Sequence, residues 1–226
     1  ELAKTNVSIV RSITENIMKY AENPLLLVVS NPADIITKAV QETSGLPANR
    51  VIGTGTSLDT ARFRYNISTK LHVNVEDIQA YVVGEHGDSQ VAVWSSAMVG
   101  GFPLEDYAKQ VGVTLDKKEI AEHTKNGGAE VIGLKGATFY GIAMSVSNIV
   151  EAIMKDDSAI LPAACVLDES FGEWAGVAVS LPCRIGWEGI ETCLRIPMNE
   201  EEQAAMNKSV AILKDFWAQV KEDRKS

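Results

Sequence analysis

Along the first ninety residues, short apolar runs alternate with stretches of helical period. Ile9, Ile13, Ile17 and Tyr20 recur at the spacing of one helix face. Leu25-Leu26-Leu27-Val28-Val29 is continuously apolar, the signature of a strand buried on both faces of a parallel sheet. Ser30-Asn31-Pro32 ends it, and a helix is expected to about Ser44, with Pro32 suited to its first position and Gly45 to its stop. Arg50-Val51-Ile52-Gly53 is a second short strand, and Thr54 to Asp59 opens another helix. Ile78 to Val83 forms a third apolar run that halts at Gly84. Strands and helices alternating in this way predict an α/β fold.

The second half changes character. Residues 104–133 have a helical pattern weakened by Gly127 and Gly128, and Gly133-Leu134-Lys135-Gly136 breaks the chain. Phe139, Ile142, Ala143, Val146, Ile149, Val150 and Ile153 then form a helical stripe expected to be mostly core. Strands are expected at Ala159–Leu167, Ala175–Arg184 and Gly189–Ile196, with turns between them that predict an antiparallel sheet. Asn199 with Glu202 has the form of a capping box for a last helix. Met206, Val210, Leu213, Trp217 and Val220 supply its buried stripe, and Lys221, Arg224 and Lys225 close it in favour of the helix dipole.

Composition narrows the partners. In 226 residues the net charge is −9, which argues against nucleic acid or an anionic membrane surface. An anionic small molecule would need individual Arg and His residues. Cys165, Cys183 and Cys193 lie in apolar, strand-like sequence without any C-x-x-C or H-E-x-x-H, so no metal site or disulfide framework is expected. Reduced core thiols in a cytoplasmic protein are the expectation, and no apolar run is long enough for a bilayer.

Candidate chemistry gathers at strand ends. Val82-Val83-Gly84-Glu85-His86-Gly87-Asp88-Ser89 puts a histidine between glycines just past a strand, where α/β proteins place ligands. Gly53 and Gly55 invite a dinucleotide fingerprint, but Leu58 stands at its third glycine position and the motif fails. Asp59 and Arg62 share a helix face, either as an exposed ion pair or as a working pair. In the second case Arg62 would grip a carboxylate with its planar fork, and Asp59 would orient His86. Asn31 has two readings, helix N-cap or ligand contact.

Val29-Ser30-Asn31-Pro32-Ala33-Asp34, Leu58-Asp59-Thr60-Ala61-Arg62-Phe63-Arg64 and Gly84-Glu85-His86-Gly87-Asp88-Ser89, in this order, resemble the lactate/malate dehydrogenase family. The resemblance runs from Glu1 to about Ser226. It implies the C-terminal part of a Rossmann-type parallel sheet over residues 1–53 and an α+β catalytic domain with antiparallel strands over 54–226. It implies hydride transfer between NAD and a small anionic 2-oxo/2-hydroxy acid. His86 would be the general acid/base, Asp59 its holder and Arg62 the carboxylate anchor. Asn31 would hydrogen-bond the substrate oxygen, and Thr138 would flank the substrate. Val29, Ser30, Asn31 and Ile142 would lie at the nicotinamide. Lactate-type members resemble this chain at Gly84–Asp88 and at Lys135-Gly136-Ala137-Thr138, which favours pyruvate/L-lactate over L-malate or a branched acid.

The same resemblance implies a homo-oligomer, dimer or tetramer. The glycine-rich turn and selectivity loop would lie before Glu1, so a non-catalytic folding or oligomerisation module is the second expectation. Arg64 matches one member of a basic pair that binds sugar bisphosphates in some bacterial relatives. Gln79 replaces the expected His, so activation by fructose 1,6-bisphosphate is expected to be weak or absent.

Overall fold

A computed structural model describes residues 2–221. Two sheets carry the fold. Helix α1 (Leu2–Met18) precedes β1 (Leu26–Val28), and helix α2 (Ala33–Ser44) crosses to β2 (Val51–Gly53), which pairs parallel with β1. Gly45 ends α2 with a left-handed backbone (φ 67°), the conformation glycine adopts most cheaply. Beyond β2 the sheet turns antiparallel, through β6 (Ala159–Val166), β7 (Ala178–Gly186) and β8 (Gly189–Cys193). The hand-over is at Gly53, beside Ala164. A Cβ there would lie 2.3 Å from Thr37 Oγ1 and 3.1 Å from Ala164 Cβ, so only glycine lets α2 and β6 close on β2.

The third apolar run is a strand, β3 (Ile78–Val83), but it belongs to another sheet. It pairs antiparallel with β4 (Val91–Val99), which pairs with the short β5 (Phe102–Pro103). A single antiparallel bridge, Gly84 to Ser180, joins the end of β3 to β7. Two apolar clusters pack on the sheets, and Val83, Val91 and Val93 of β3 and β4 belong to the first with the larger sheet. Ile36, Ile52, Leu181 and Ile185 lie in the first. Phe63 and Ile67 from helix α3 (Ser57–Leu71) lie over β3 and β4 in the second.

Several expectations are corrected. The helix expected around Ile9, Ile13 and Ile17 is present as α1, which ends before Tyr20, and this face points outward, with Ile9 54% and Tyr20 91% exposed. A second stripe at helical spacing, Val7, Val10, Thr14 and Met18, faces α2 and helix α7 (Glu200–Lys221) instead. Residues 104–133 are two helices, α4 (Leu104–Gln110) and α5 (Lys117–Lys135), parted where Gly112 turns left-handed (φ 72°) and Asp116 caps Glu119 N at 3.0 Å. Helix α5 continues through Gly133 and is capped by Gly136. Helix α6 (Tyr140–Lys155) buries only Ile149 fully from its predicted stripe, because it lies against α3 and β7 along a narrow side. Phe139 and Val150 are exposed. The expected burial of β1 on both faces also fails at its end, where Val29 is 42% exposed.

The last helix behaves as expected. Glu202 N donates to Asn199 Oδ1 at 2.8 Å and Asn199 N to Glu202 Oε2 at 3.1 Å, a reciprocal capping box. Glu202 also accepts Trp94 N and Ser95 N at 2.8 and 3.0 Å, which ties α7 to β4. Burial pushes its carboxyl up, but the hydrogen bonds from Ser95, Trp94 and Asn199 outweigh this and hold it low. The stripe from Met206 to Val220 is buried throughout. Arg224 and Lys225 lie outside the described residues.

Candidate active site

The start of α3 is fastened to the end of β3. Thr56 Oγ1 donates to Val82 O at 2.5 Å, and Val82 N donates to Thr60 Oγ1 at 3.0 Å. Thr56 N donates to Ser180 Oγ at 3.0 Å. A Cβ on Gly55 would lie 2.1 Å from that same Ser180 Oγ. Gly53 and Gly55 therefore serve close backbone packing and not a phosphate cradle, in keeping with the failed fingerprint. Leu58 reaches across to α6, where a Cβ on Gly141 would stand 3.0 Å from Leu58 Cδ1. These contacts set Asp59, which is buried, beneath the loop that leaves β3.

On that loop His86 Nδ1 lies 2.6 Å from Asp59 Oδ2. Arg62 Nη1 lies 3.3 Å from the other oxygen, Asp59 Oδ1. One carboxylate thus orients an imidazole and a guanidinium together. Burial alone would push the His86 pKa down, but the hydrogen bond and charge of Asp59, aided by Asp34, outweigh it and the pull of Arg62, and raise it above 6.5. The protonated ring is favoured.

The loop itself is held from two sides. Glu85 N donates to Ser209 Oγ on α7 at 2.8 Å, and Ser89 Oγ donates to Glu85 Oε2 at 2.5 Å. Gly84 has φ 88° and passes so near α7 that a Cβ would lie 2.7 Å from Ser209 Oγ. From the other side His86 N donates to Asp34 Oδ2 at 2.8 Å. Sequence reasoning missed Asp34. Its signal was an acid in the first turn of α2 amid apolar Ala33, Ile35 and Ile36. Burial raises its pKa from 3.8 to about 7, although the His86 N–H favours the charged form, and its Oδ1 has no hydrogen-bond partner among the described residues.

A cavity of about 570 Å³ brings most of the expected residues together: Val29, Asn31, Asp59, Arg62, His86, Thr138 and Ile142 line it. Ser30 is exposed and lies outside the lining. Asn31 does not cap α2, whose N-cap is Pro32 without a side-chain hydrogen bond, so the capping alternative falls. Arg64 sits elsewhere, with Nε donating to Ala80 O at 2.8 Å and the guanidinium 4.9 Å from the Tyr81 ring centre. Gly127 and Gly128 of α5 border Arg62, and a Cβ on Gly127 would stand 3.1 Å from Arg62 Cδ. Apolar Val29, Leu58, Ile132 and Ile142 share the lining with Arg62 and His86. The exposed Val29 offers an uncovered apolar patch to a flat ring, so the lining fits the nicotinamide end of NAD together with a small anion.

Residues 56–223 match the family model described as the lactate/malate dehydrogenase α/β C-terminal domain, and residues 1–53 match that of the lactate/malate dehydrogenase NAD-binding domain. The chain belongs to the lactate/malate dehydrogenase family. The cofactor of this family of oxidoreductases is NAD. Among family members, the L-lactate dehydrogenase of Nitratidesulfovibrio vulgaris is 41% identical over 96% of this chain and 71% of its own length. That of Acetivibrio thermocellus is 41% identical over 96% of this chain and 69% of its own. Among solved structures, an L-lactate dehydrogenase from Clostridium thermocellum superposes with a TM-score of 0.88 at 43% identity, covering 97% of this chain and 73% of that one. A lactate dehydrogenase from a Medee basin deep-sea metagenome library gives 0.91 at 34% identity, covering 97% and 71%. Among the described residues no helix is long and apolar enough to cross a membrane.

Proposed function

We propose that this chain is an L-lactate dehydrogenase that interconverts pyruvate and L-lactate with NAD(H). The observation that carries the reading is the shared carboxylate of Asp59, 2.6 Å from His86 Nδ1 and 3.3 Å from Arg62 Nη1, on the wall of one cavity. An acid/base group and a carboxylate anchor so placed suit an acid whose carbonyl or hydroxyl adjoins its carboxylate. The Gly84–Asp88 and Lys135–Thr138 motifs and the names of the relatives support pyruvate over oxaloacetate.

Arg62 holds the substrate carboxylate through its fork, and Thr138 flanks the substrate. Asn31 hydrogen-bonds the substrate oxygen. Val29, Ser30 and Ile142 would hold the nicotinamide, which in its reduced form would supply the hydride. In pyruvate reduction protonated His86 gives its proton to the carbonyl oxygen as the carbon accepts the hydride. Asp59 stabilises the imidazolium before transfer and keeps the ring oriented afterwards. In the reverse direction neutral His86 takes the hydroxyl proton.

We assign the exposed apolar side of α6 to contact with a second copy in a homo-oligomer, and the protein to the cytoplasm. The test is NADH oxidation with pyruvate and oxaloacetate side by side. A higher kcat/KM for pyruvate is expected. A higher value for oxaloacetate would make the chain a malate dehydrogenase.

A further inference from the structure

The three cysteines, far apart in sequence, meet in space. Cys165 lies on β6, Cys183 on β7 and Cys193 at the end of β8, with Cys183 and Cys193 directly opposed across the β7–β8 ladder. All three Sγ atoms lie within 4.8 Å of one another. Cys165 and Cys193 are 2.7 Å apart, and Cys183 and Cys193 are 3.7 Å apart. The Cys183 sulfur also lies 3.3 Å from Leu181 O and 3.5 Å from Ala163 O. A cavity of about 340 Å³ opens onto Cys165 and Cys193, with Asp168, Ser170 and Thr192 on its walls. It shares no lining residue with the active-site cavity.

We propose that Cys165, Cys183 and Cys193 form a binding site for a thiophilic d10 cation, Zn2+ foremost, with the fourth position open to water from this cavity. Sulfur is the soft ligand that selects Zn2+ or Cu+ over Mg2+ and Ca2+. With Zn–S bonds of about 2.3 Å, sulfurs on a tetrahedral ion stand about 3.8 Å apart. Cys183 and Cys193 already have that spacing. Cys165 has to draw back from Cys193 by about 1 Å to match it, and its side chain borders the cavity that gives it room. Each S–H bond breaks heterolytically, the electron pair staying on sulfur, which shares it with the cation in the new S–metal bond, and the proton passing to solvent, so no oxidant or reductant is involved. The ion would bridge β6, β7 and β8, and so would bind the folded chain and stabilise it by mass action.

The sequence concealed this site because its ligands lie on three strands, with spacings unlike a zinc knuckle. Only the antiparallel register brings them together.

The test titrates the whole chain, reduced and metal-stripped, with Cd2+, following thiolate-to-cadmium charge-transfer absorption. Zn2+ is then added in competition with a chromophoric chelator. The proposal expects one ion per chain, protection of all three thiols from alkylation, a rise in Tm and unchanged pyruvate turnover. Cys193→Ser, at the half-buried position, should weaken binding by on the order of a hundredfold or more, since even an outer partner of a ligand is worth ten- to a hundredfold. Alkylation protection in the unmodified chain reads the site even if that variant does not fold. Absence of the charge-transfer band, equal protection by Mg2+, a reductant-resistant Cys165–Cys193 disulfide, or wild-type affinity in a folded Cys193→Ser variant would each overturn it.

Discussion

Gly127 lies against Arg62: a Cβ at this glycine would stand 3.1 Å from Arg62 Cδ and 3.2 Å from Nε. Each glycine inside a helix costs roughly 1 kcal/mol relative to alanine, yet α5 runs unbroken through both Gly127 and Gly128. Their smoothness gives the guanidinium its place. Gly127→Ala should therefore raise the KM for pyruvate several-fold while Tm holds or rises. Arg62→Lys should raise KM further, because a point charge cannot reproduce the two-pronged grip. Steady-state kinetics beside thermal melts separate the two effects, and a Gly127→Ala variant with unchanged KM would contradict this role.

The rate of pyruvate reduction should depend on a proton held more tightly than an ordinary histidine's. His86 has its pKa raised above 6.5, Asp59 prevailing over burial, so reduction persists past that pH and declines as pH rises through the folded-state value. The stability due to this pairing is likewise complete below 6.5 and lost as pH rises through the raised value. Asp59→Asn should move the midpoint of the kcat/KM profile downward. A midpoint left in place would mean that Asp59 does not set the imidazole.

Asp34 positions the loop through a backbone hydrogen bond and touches no reacting atom. Asn keeps an acceptor for His86 N–H, and Ala removes it. Asp34→Asn should retain activity, whereas Asp34→Ala should lower kcat about tenfold or more, the cost of a misplaced acid/base group. Because burial raises this acid to about 7, the wild-type chain loses stability as pH climbs from 3.8 to about 7. Urea unfolding at about pH 5 and pH 8 should show the advantage of Asp34→Asn growing with pH. Equal activity in the Asn and Ala variants would remove the positioning role.

Fructose 1,6-bisphosphate should leave the pyruvate saturation curve unchanged. Arg64 is held by Ala80 O and the Tyr81 ring, and the exposed Gln79 beside them supplies no second cation. A kinetic titration checks this, and a marked fall in KM on adding the bisphosphate would contradict it.

What was legible in the sequence followed local rules. Strand ends, helix spacing and caps are short-range, so His86, Asp59, Arg62 and the Asn199–Glu202 box could be found from a few neighbouring residues. Asp34 could not, because its role exists only where α2 meets the loop after β3. Strand β4 carries only a weak signal, an alternation through Val91, Val93, Ala97 and Val99 with serines and a tryptophan interleaved. Periodicity on α1 and α6 showed an apolar face without showing which face a neighbour would cover. The cysteine cluster depends on register across three strands, which no linear spacing encodes.

The most direct test of the account is the turnover of His86→Gln with NADH and saturating pyruvate. Glutamine keeps much of the shape and loses the transferable proton. The account predicts a fall in kcat of roughly two to four orders of magnitude, with the fold intact by circular dichroism. Turnover at the wild-type rate would show that His86 is not the group that delivers the proton.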